Sequence, residues 1–381
     1  MRWREITLGS AIRVKHGYAF KGEYFSDSGK YILLTPGNFN EEGGFRIRPD
    51  KDRAYQGDIP ESFILDKDDL IVAMTEQGPG LLGSSALIPQ ADRYLHNQRL
   101  GLVNQIDEAF LDKQFLYFLF NTRSVRAQIS GSASGTKVRH TAPERIYQVR
   151  VCVPAEVRVQ RKIASILSTY DDLIENNRRR MALLEESARL LYREWFVRLR
   201  FPGHEHTRII DGVPEGWERK TLGNRVILNY GKALKADDRI EGLFPVYGSS
   251  GVVGTHEKAL VSGPAIIVGR KGNVGSVYWC TQNFYPIDTV YFIDATMSNL
   301  YLYYALQHMH FISTDVAVPG LNRGFAYSRP LIIPTDSIFC AFLEMVSPIH
   351  EQLNKLEEIN ARLRAARDLL LPRLMSGEIA V

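Results

Sequence analysis

Residues 156–200 read EVRVQRKIASILSTYDDLIENNRRRMALLEESARLLYREWFVRLR, and this stretch decides the fold. Residues that suit a helix–helix seam recur in it at alternating steps of four and three, the repeat of a helix that winds around another. No Pro or Gly interrupts it before Phe201-Pro202-Gly203. The stretch predicts one helix of about 45 residues, about 65 Å long, which cannot bury its seam alone. Its seam residues are Ile163, Leu167, Tyr170, Ile174, Asn177, Met181, Leu184, Ala188, Leu191 and Trp195.

The same stepping returns near the end of the chain, after Ser347 and Pro348, which predict an N-cap and a first helical turn. Asn177 and Asn360 place one Asn in each seam, where a buried Asn costs stability but fixes register. Arg367 in the second seam needs a nearby carboxylate or a route to solvent. We expect the two helices to pair with each other; a homodimeric coil, or two helices packed on their own domains, are the alternatives. The second seam is Ile349, Leu353, Leu356, Asn360, Leu363, Arg367, Leu370 and Leu374.

Both helices carry more apolar surface than one seam needs. A two-helix coil buries only a narrow stripe, whereas a bundle buries a broader face. We therefore expect helices of another protein to dock on this pair. The additional apolar residues are Ile166, Leu173, Leu183, Leu190 and Phe196 on the first helix, and Ile359, Ala366, Leu369 and Met375 on the second.

Length and composition predict an ordinary globular protein of more than one domain. The chain of 381 residues is too long for a single core. It shows no apolar run long enough to cross a membrane and no signal peptide. Its three cysteines, Cys152, Cys280 and Cys340, are far apart, which favours a reducing cytoplasm without disulfides or a zinc site. The net charge of +4 permits nucleic-acid binding without demanding it.

The first part of the chain recurs after the central helix. Residues 3–9 and residues 217–223 share the pattern W-x-x-x-T-L-G, and Gly17 and Gly231 follow at the same offset. Matched landmarks in the same order indicate a duplicated unit. The further pairs are Leu70-Ile71-Val72 with Ile266-Ile267-Val268, Gly83-Ser84 with Gly275-Ser276, Phe115-Leu116-Tyr117-Phe118 with Tyr301-Leu302-Tyr303-Tyr304, and Val151-Cys152-Val153-Pro154 with Leu331-Ile332-Ile333-Pro334.

Each unit contains short β-branched and aromatic runs bounded by turn residues, with one helix near Asp112–Asn121 in the first unit and one near Asn299–Met309 in the second. The predicted fold class is therefore α+β, with two tandem mixed α/β domains separated by two long helices. The predicted segments are residues 1–154 for the first domain, 155–201 for the central helix, 202–213 for a linker, 214–335 for the second domain and 336–381 for the C-terminal helix.

The sequence lacks the usual catalytic motifs. It contains no G-x-x-x-x-G-K-[ST], no H-E-x-x-H, no G-x-S-x-G and no Asn/Asp-Pro-Pro-aromatic tetrapeptide of the kind used by amino-methyltransferases. His204 and His206 lie in the predicted linker, where histidines are usually solvated, so we expect no metal site. We accordingly predict no catalytic residue in this chain.

Polar side chains suited to reading DNA are interleaved with glycines in the predicted loops. Arg can pair bidentately with guanine and Asn or Gln with adenine, while Lys, Ser and Thr contact phosphates. Polar glycine-rich loops are also common on any protein surface. The candidate residues are Lys15, Tyr18, Thr75, Gln77, Asn97, Gln98, Arg99, Lys137, Arg139 and His140 in the first unit, and Lys232, Tyr247, Ser249, Ser250, Arg270, Lys271, Asn273, Asn322 and Arg323 in the second.

The chain resembles the specificity subunits of Type I restriction–modification systems over nearly its whole length. The two helix junctions carry the resemblance most clearly, and two loop motifs add to it. The junction segments are Gln160-Arg161-Lys162-Ile163-Ala164-Ser165-Ile166-Leu167 continuing to Leu190-Leu191-Tyr192-Arg193-Glu194-Trp195-Phe196, and Ala365 to Ile379. The loop motifs are Ser134-Gly135-Thr136-Lys137-Val138-Arg139-His140 and Val318-Pro319-Gly320-Leu321-Asn322.

The resemblance implies that each unit is a target-recognition domain for one half of a split double-stranded DNA sequence. It also implies that the long helices form an antiparallel coiled coil that docks two modification subunits. Those partners would use S-adenosylmethionine to methylate adenine at N6, and motor–nuclease restriction subunits would use ATP and magnesium; this chain would bind no cofactor. Such a complex works in the cytoplasm in host defence. A duplicated scaffold that binds protein or carbohydrate, and an enzyme with an unrecognised active site, are the alternatives.

Overall fold

The computed structural model describes residues 2–48, 51–76, 80–309, 311 and 320–381. The chain divides into two compact units. The first unit comprises Met1–Asn176 with Ile359–Val381, and the second comprises Asn177–Glu358. Each unit therefore contains one globular portion and part of each long helix. The division of the chain into five segments, with the boundaries given above, stays a prediction.

The described residues form α-helices of very different lengths, and the two long ones are the fourth and the last. The helices are α1 (Lys113–Phe120), α2 (Arg123–Gly131), α3 (Pro143–Tyr147), α4 (Val157–Tyr192), α5 (Leu300–His308), α6 (Arg323–Ser328) and α7 (Asp336–Ser376). A π-helical turn, Arg193–Val197, follows α4 directly. Short 3₁₀ turns lie at Leu8–Ser10, Gly22–Tyr24, Pro36–Asn38, Glu61–Phe63, His204–His206, Leu222–Asn224 and Ala236–Asp238.

The strands are short, as the β-branched runs predict. In the first unit they are β1 (Trp3–Thr7), β2 (Ile12–His16), β3 (Phe25–Ser26), β4 (Tyr31–Leu33), β5 (Arg53–Tyr55), β6 (Ile64–Leu65), β7 (Leu70–Ala73), β8 (Thr75–Glu76), β9 (Ser85–Leu87), β10 (Tyr94–Leu95), β11 (Leu100–Ile106), β12 (Arg139–His140) and β13 (Arg150–Pro154). In the second unit they are β14 (Ile209–Ile210), β15 (Val213–Pro214), β16 (Glu218–Thr221), β17 (Asn229–Tyr230), β18 (Phe244–Gly248), β19 (Gly251–His256), β20 (Ala265–Gly269), β21 (Val277–Cys280), β22 (Tyr285–Pro286), β23 (Val290–Ile293) and β24 (Pro330–Ile333).

The main sheet of each unit has the same strand order. It runs β2-β11-β7-β9 in the first unit and β17-β23-β20-β21 in the second. A smaller sheet accompanies it, with order β3-β5-β4-β10-β6 in the first unit and β19-β18-β22 in the second. In both small sheets one pair is parallel, β4 with β10 and β18 with β22. The sequence repeat is thus a repeat of sheet topology.

The W-x-x-x-T-L-G landmark has the same structural role in both units. Its strand pairs antiparallel with the strand that precedes the long helix, β1 with β13 and β16 with β24. A Cβ atom on Gly9 would lie 2.5 Å from Cβ of Tyr147, and one on Gly223 would lie 2.9 Å from Cβ of Tyr327. Glycine is therefore required at the end of the motif, because a side chain there would collide with the tyrosine.

Each long helix contributes residues to the cores of both units. In the first unit Ile163, Leu167 and Leu374 are buried in one cluster with α1 and the main sheet. In the second unit Tyr192, Trp195 and Phe342 are buried together with the residues of α5. Helix packing of this kind stabilises a long amphipathic helix far more than its intrinsic propensity does.

The paired helices run antiparallel. In the first unit Asn360 Nδ2 donates to the carbonyl oxygen of Ile174 at 3.5 Å, and Arg367 Nη1 lies 2.6 Å from Asp171 Oδ1. Asn360 therefore contacts residue 174 and Arg367 contacts residue 171, so the chain direction of α7 is opposite to that of α4. Asp171 is also the carboxylate that Arg367 was expected to need. The remaining predicted seam residues are buried or half-buried: Asn177, Leu184, Leu191, Leu353, Leu356, Leu363 and Leu370.

Three details of the helices differ from the sequence prediction. The second long helix begins at Asp336, so Ser347 and Pro348 lie inside it. Pro348 removes one backbone donor from the helix, but the preceding turns bury Phe342 and Val346 completely and hold the helix in place. Phe196 and Met375, which were expected to face a partner, are buried in their own units because they complete the clusters beneath them.

Candidate nucleic-acid interface

The predicted DNA-reading residues of the first unit gather where the strands of the main sheet end. The backbone N–H of Met74 donates to the carbonyl of Arg99 at 3.0 Å, and that of Thr141 donates to the carbonyl of Met74 at 2.9 Å. The N–H of Gln98 donates to the carbonyl of Tyr18 at 2.9 Å. These bonds bring four separate chain segments to one edge, which we name the first strand-end corner.

The second unit builds the same corner from the same backbone contacts. The N–H of Arg270 donates to the carbonyl of Thr289 at 2.9 Å, and that of Leu321 donates to the carbonyl of Arg270 at 2.8 Å. The N–H of Lys232 donates to the carbonyl of Pro286 at 2.9 Å, as the N–H of Tyr18 does to the carbonyl of His96 in the first unit. The second strand-end corner thus places Arg270 where the first has Met74.

A tyrosine near each corner supports the loop that forms it. The Tyr147 hydroxyl accepts from the N–H of Val14 at 2.9 Å, and the Tyr327 hydroxyl accepts from the N–H of Leu228 at 2.9 Å. Both tyrosines belong to the short helices α3 and α6, which follow the last segment of the corner. The supporting framework is therefore common to the two units, and only the side chains at the surface differ.

In the first corner several predicted residues are available at the surface. Tyr18, Gln98, Arg99, Lys137 and His140 are exposed. Lys15 is half-buried, with its ammonium group 4.1 Å from the centre of the Phe63 ring and bonded to the carbonyl of Ser62. Thr75 lies in β8 and Asn97 caps the turn to Arg99. Gln77 lies outside the described residues.

Arg139 is held by the protein itself. Its Nη1 lies 3.3 Å from Glu76 Oε1, while Glu76 Oε2 accepts from the backbone N–H groups of residues 80, 81 and 82 at 2.9–3.1 Å. The Glu76 side chain is almost completely buried, so removal of Arg139 would leave a buried charge without its cation. The guanidinium of Arg139 is therefore used mainly to stabilise the corner, and it is less available for a bidentate contact with a base.

In the second corner some predicted residues are exposed, and others make hydrogen bonds within the protein. Lys232, Ser250, Lys271, Asn273 and Arg323 are exposed. Ser249 is buried, and its carbonyl accepts from the hydroxyls of Ser276 and Tyr278. Asn322 is exposed, and its Oδ1 caps α6 by accepting from the N–H of Phe325 at 3.1 Å.

Tyr247 is placed differently from the other candidates. Its ring packs against Phe284 and Tyr278 in a small apolar cluster, and burial raises the pKa of its hydroxyl. It also borders a polar cleft lined by Arg189, His350 and Glu357. Its role is therefore one of packing beneath the small sheet rather than of contact at the corner.

Two residues that the candidate set omits matter to the second corner. Tyr230 lies between two guanidinium groups, 4.9 Å from Cζ of Arg270 and 5.0 Å from Cζ of Arg323. The ring of Tyr291 packs against that of Tyr230, with the ring centres 5.1 Å apart and the planes tilted by 59°. The sequence contains one signal for Tyr230: it directly precedes Gly231, the counterpart of Gly17 in the internal repeat.

The exposed apolar residues of the long helices form a second candidate surface within each unit. In the first unit they are Ile166, Leu173, Ile359 and Leu369, and in the second they are Leu183, Leu190 and Met345. Leu183 is 70% exposed and Leu369 is 64% exposed, values that are unusual for leucine on a well-packed helix. Exposed apolar residues can mark a surface to which other proteins bind when they form a contiguous patch.

Among the described residues no group of His, Cys, Asp or Glu has the arrangement of a metal site. Over the same residues no helix is both long and apolar enough to cross a membrane. The three cysteines are free thiols, with Cys280 buried and the other two exposed.

Comparison with known proteins agrees with this architecture. Residues 2–186 match the family described as the Type I restriction modification DNA specificity domain. The MjaIX specificity subunit of a Type I restriction enzyme from Methanocaldococcus jannaschii is 24% identical over 317 residues, which cover 74% of this chain and 72% of that protein. A putative type I specificity subunit from Mycoplasma pneumoniae is 26% identical over 256 residues, covering 65% of this chain and 59% of the relative.

The fold is also found among solved structures. The S subunit of a Type I restriction–modification system from M. genitalium superposes with a TM-score of 0.58 at 19% identity, covering 98% of this chain and 96% of that one. This structural similarity supports the fold, whereas the similarity to known families comes from the sequence matches. Residues 2–186 thus carry the Type I restriction modification DNA specificity domain, and the chain as a whole is similar to the specificity subunits of Type I restriction–modification systems.

Proposed function

We propose that this chain recognises a bipartite double-stranded DNA target, with each strand-end corner reading one half-site. The observation that carries the proposal is that both corners are built from the same backbone contacts but present different side chains. A common framework with different surface residues is what two independent readers of different short sequences require. Base edges are read by a few side chains, while positively charged neighbours bind the phosphates.

We propose further that the long helices dock two modification subunits and the restriction subunits. The exposed leucines and isoleucines of α4 and α7 support this assignment, because interface cores are enriched in apolar residues. S-adenosylmethionine, ATP and magnesium would be bound by those partners. The sequence motifs that bind such groups are missing from this chain, which supports a role in recognition and assembly without catalysis.

A duplicated scaffold that binds protein or carbohydrate is the competing function. The two functions predict different effects of salt on binding affinity. The affinity for DNA falls as the salt concentration rises, because DNA binding releases counterions from the phosphates. A carbohydrate or peptide ligand would show little such dependence. The basic residues around the second corner, Lys232, Arg270, Lys271 and Arg323, favour DNA.

Selection from a pool of random duplexes tests the proposal. The purified full chain should enrich two short sequences separated by a fixed number of unread base pairs, and the logarithm of its affinity should fall linearly with the logarithm of the salt concentration. Enrichment of a single uninterrupted sequence would contradict two independent readers. Binding that is indifferent to both sequence and salt would favour the scaffold.

Methyl transfer provides a separate test of the non-catalytic role. The isolated full chain should transfer no methyl group from S-adenosylmethionine to a duplex that carries the selected sequence. Addition of the modification subunits should restore transfer to adenine. Transfer by the chain alone, in a preparation free of those subunits, would show that an active site exists in this sequence.

A further inference from the structure

We propose that Arg270, held against the ring of Tyr230, reads a guanine in the half-site of the second unit. This inference rests on the proposed function, since it names the base that one reader of a DNA target selects. It concerns three side chains that act together: Arg270 as the reader, Tyr230 as the positioning residue and Arg323 as the second cation on the same ring.

The backbone of Arg270 is fixed on both sides. Its N–H donates to the carbonyl of Thr289 at 2.9 Å and its own carbonyl accepts from the N–H of Leu321 at 2.8 Å. Both bonds belong to the framework that the two corners share. The position of the Arg270 Cα atom is therefore set by the strand ends and does not depend on the mobility of a surface loop.

The side chain is fixed as well. Its Cζ lies 4.9 Å from the centre of the Tyr230 ring and 5.7 Å from that of Tyr291, and its Nη1 donates to the carbonyl of Asp288 at 3.0 Å. A guanidinium has five N–H donors, so the bond to Asp288 leaves others for a ligand. Holding the planar group against an aromatic face reduces the entropy that it would lose on binding.

The described residues that line the cleft at Arg270 include three basic side chains and no acidic one. Among the described residues, the cleft at this position is lined by Tyr230, Arg270, Lys271, Tyr291, Asn322 and Arg323 together with glycines and Leu321. Arg323 approaches the Tyr230 ring with its Cζ at 5.0 Å. The ring is thus in contact with two guanidinium groups, and the basic lining of the described part of the cleft favours an electron-rich ligand.

The geometry of a fork selects guanine among the bases. In the major groove guanine presents two neighbouring acceptors, O6 and N7, whereas adenine presents an acceptor beside a donor. A guanidinium can satisfy both guanine acceptors at once, but it would face the N6 donor of adenine. A phosphate also accepts a fork, and Lys271 is better placed to follow the backbone because it is exposed whereas Arg270 is half-buried.

The inference is specific to the second unit. The structurally equivalent residue in the first corner is Met74, which is buried and offers no donor. The half-site of the first unit must therefore be read by other groups, such as Gln98 and Arg99, which are exposed there. Exchange of the first unit should leave the guanine in the selected sequence unchanged.

The test begins with the sequence that the wild-type full chain selects from random duplexes. The half-site that survives exchange of residues 1–154 belongs to the second unit, and it should contain a guanine that the Arg270→Ala variant no longer requires. Lys271→Ala is the matched control, and it should weaken binding to all duplexes and reduce the salt slope by about one without altering the selected sequence. Failure of the wild-type chain to select any sequence would overturn the proposed function itself.

Replacement of the guanine N7 then probes the contact without changing the protein. A duplex with 7-deazaguanine at that position loses one of the two acceptors and should bind the wild-type chain more weakly, by part of the about five- to 150-fold range for loss of a whole bidentate pair. The same replacement should have no effect on Arg270→Ala. If the wild-type chain selects a bipartite sequence but tolerates 7-deazaguanine at every guanine of this half-site, the guanine assignment is wrong and the proposed function stands.

Substitution of Tyr230 distinguishes positioning from direct contact. Tyr230→Phe keeps the aromatic face and should keep the guanine requirement, whereas Tyr230→Leu should relax it with little change in the salt slope. Equal loss of selectivity in both variants would show that the hydroxyl, and not the ring, acts at this site. Thermal unfolding of each variant, compared with that of the wild-type chain, checks that the second unit stays folded.

Discussion

At the scale of single residues, the side chains that resemble DNA readers in the sequence have quite different roles in the structure. Arg139 is bound to buried Glu76, whereas Lys271 is exposed. Arg367 in the helix seam is bound to Asp171, which also accepts from the hydroxyl of Tyr117 at 3.3 Å. Glu76 and Arg367 are therefore each paired with an opposite charge, as the cost of burying an isolated charge requires.

Arg367→Leu should lower the free energy of unfolding by about 2–4 kcal/mol, because it leaves Asp171 partly buried without its cation. The double variant Asp171→Asn, Arg367→Leu should recover much of that loss, since Asn keeps an acceptor for Tyr117 but carries no charge. Chemical denaturation of the full chain measures both. A single variant as stable as the wild-type chain would mean that solvent already screens the pair.

His96 should make stability depend on pH. Burial lowers the pKa of this histidine to about 4, below its unfolded value of about 6.5. The folded state thus favours the neutral ring, so its contribution is complete above pH 6.5 and is lost as the pH falls toward 4. The free energy of unfolding should decrease by up to about 1.4 kcal/mol per pH unit for this proton.

His96→Gln tests that dependence, because Gln can still donate to the carbonyl of Leu100, which lies 2.9 Å from His96 Nε2. The variant should show a smaller loss of stability between pH 6.5 and pH 5 than the wild-type chain. His206→Gln, at an exposed position, is the control and should leave the slope unchanged. Equal slopes in all three proteins would exclude His96 as the source.

At the scale of elements, the long helices bury one stripe and expose another. The seam residues of α4 are buried or half-buried along its whole length, while Leu183 and Leu190 remain exposed. The π-helical turn after α4 carries Trp195 and Phe196 into the core of the second unit. A π turn inserts an extra residue per turn and shifts the side chains that follow it around the helix.

Leu183→Glu and Leu369→Glu should abolish capture of the modification subunits while changing the free energy of unfolding by less than about 0.5 kcal/mol, as expected for exposed positions. Ala182→Glu is the matched control, since it adds the same charge at an exposed position about 100° around the helix from Leu183. Co-purification with the partners measures docking. Unimpaired capture by both leucine variants would move the docking surface away from the long helices.

At the scale of the whole molecule, each unit carries its own core, its own main sheet and its own corner. The strand that opens each globular portion pairs with the strand that closes it, Trp3 with Pro154 and Glu218 with Ile333. Each recognition domain is therefore closed upon itself before the long helix begins. This arrangement permits exchange of one domain without disturbing the other.

Exchange of residues 1–154 for those of a relative with a different target should change one half-site of the selected sequence and leave the other intact. The cut after Pro154 preserves the whole β1–β13 pair, whereas a cut at residue 150 would divide it. Duplex selection with the chimaeric chain gives the result. A change in both half-sites would show that the two domains do not read independently.

The long helices should set the spacing between the half-sites. A rod of about 65 Å spans fewer than about 20 base pairs at about 3.4 Å each, which allows two half-sites roughly one helical turn apart. Four residues inserted into both helices, after Asn176 and after Glu358, add about 6 Å and slightly more than one helical turn. These positions lie at the division between the two units.

The insertion should lengthen the unread gap by about two base pairs and leave both half-sites unaltered. Four residues inserted after Gly203, at an exposed turn outside the long helices, form the control and should not change the gap. Duplex selection with each variant reads out the spacing. An active double-insertion variant that keeps the original gap would mean that another element sets it.

The sequence by itself determined the repeat, the α+β class, the pairing of the long helices and the resemblance to Type I specificity subunits. These properties follow from periodic patterns that local segments carry: a seven-residue repeat needs a partner helix, and recurrent landmarks such as W-x-x-x-T-L-G need equivalent strands. The position of α1 between Asp112 and Asn121 was predicted for the same reason, since Asp112 caps the helix locally. The expected carboxylate for Arg367 was also found.

Only the tertiary structure decided which polar residues are free to act. Arg139 and Glu76 are 63 residues apart in sequence, and Arg270 meets Tyr230 from a different strand, so no local pattern links them. The start of α7 at Asp336 likewise depends on the burial of Phe342 and Val346 in the core of the second unit, which outweighs the local signal of Ser347 and Pro348. Contacts between distant segments determine the environment of a side chain, and that environment determines whether it supports the fold or faces a ligand.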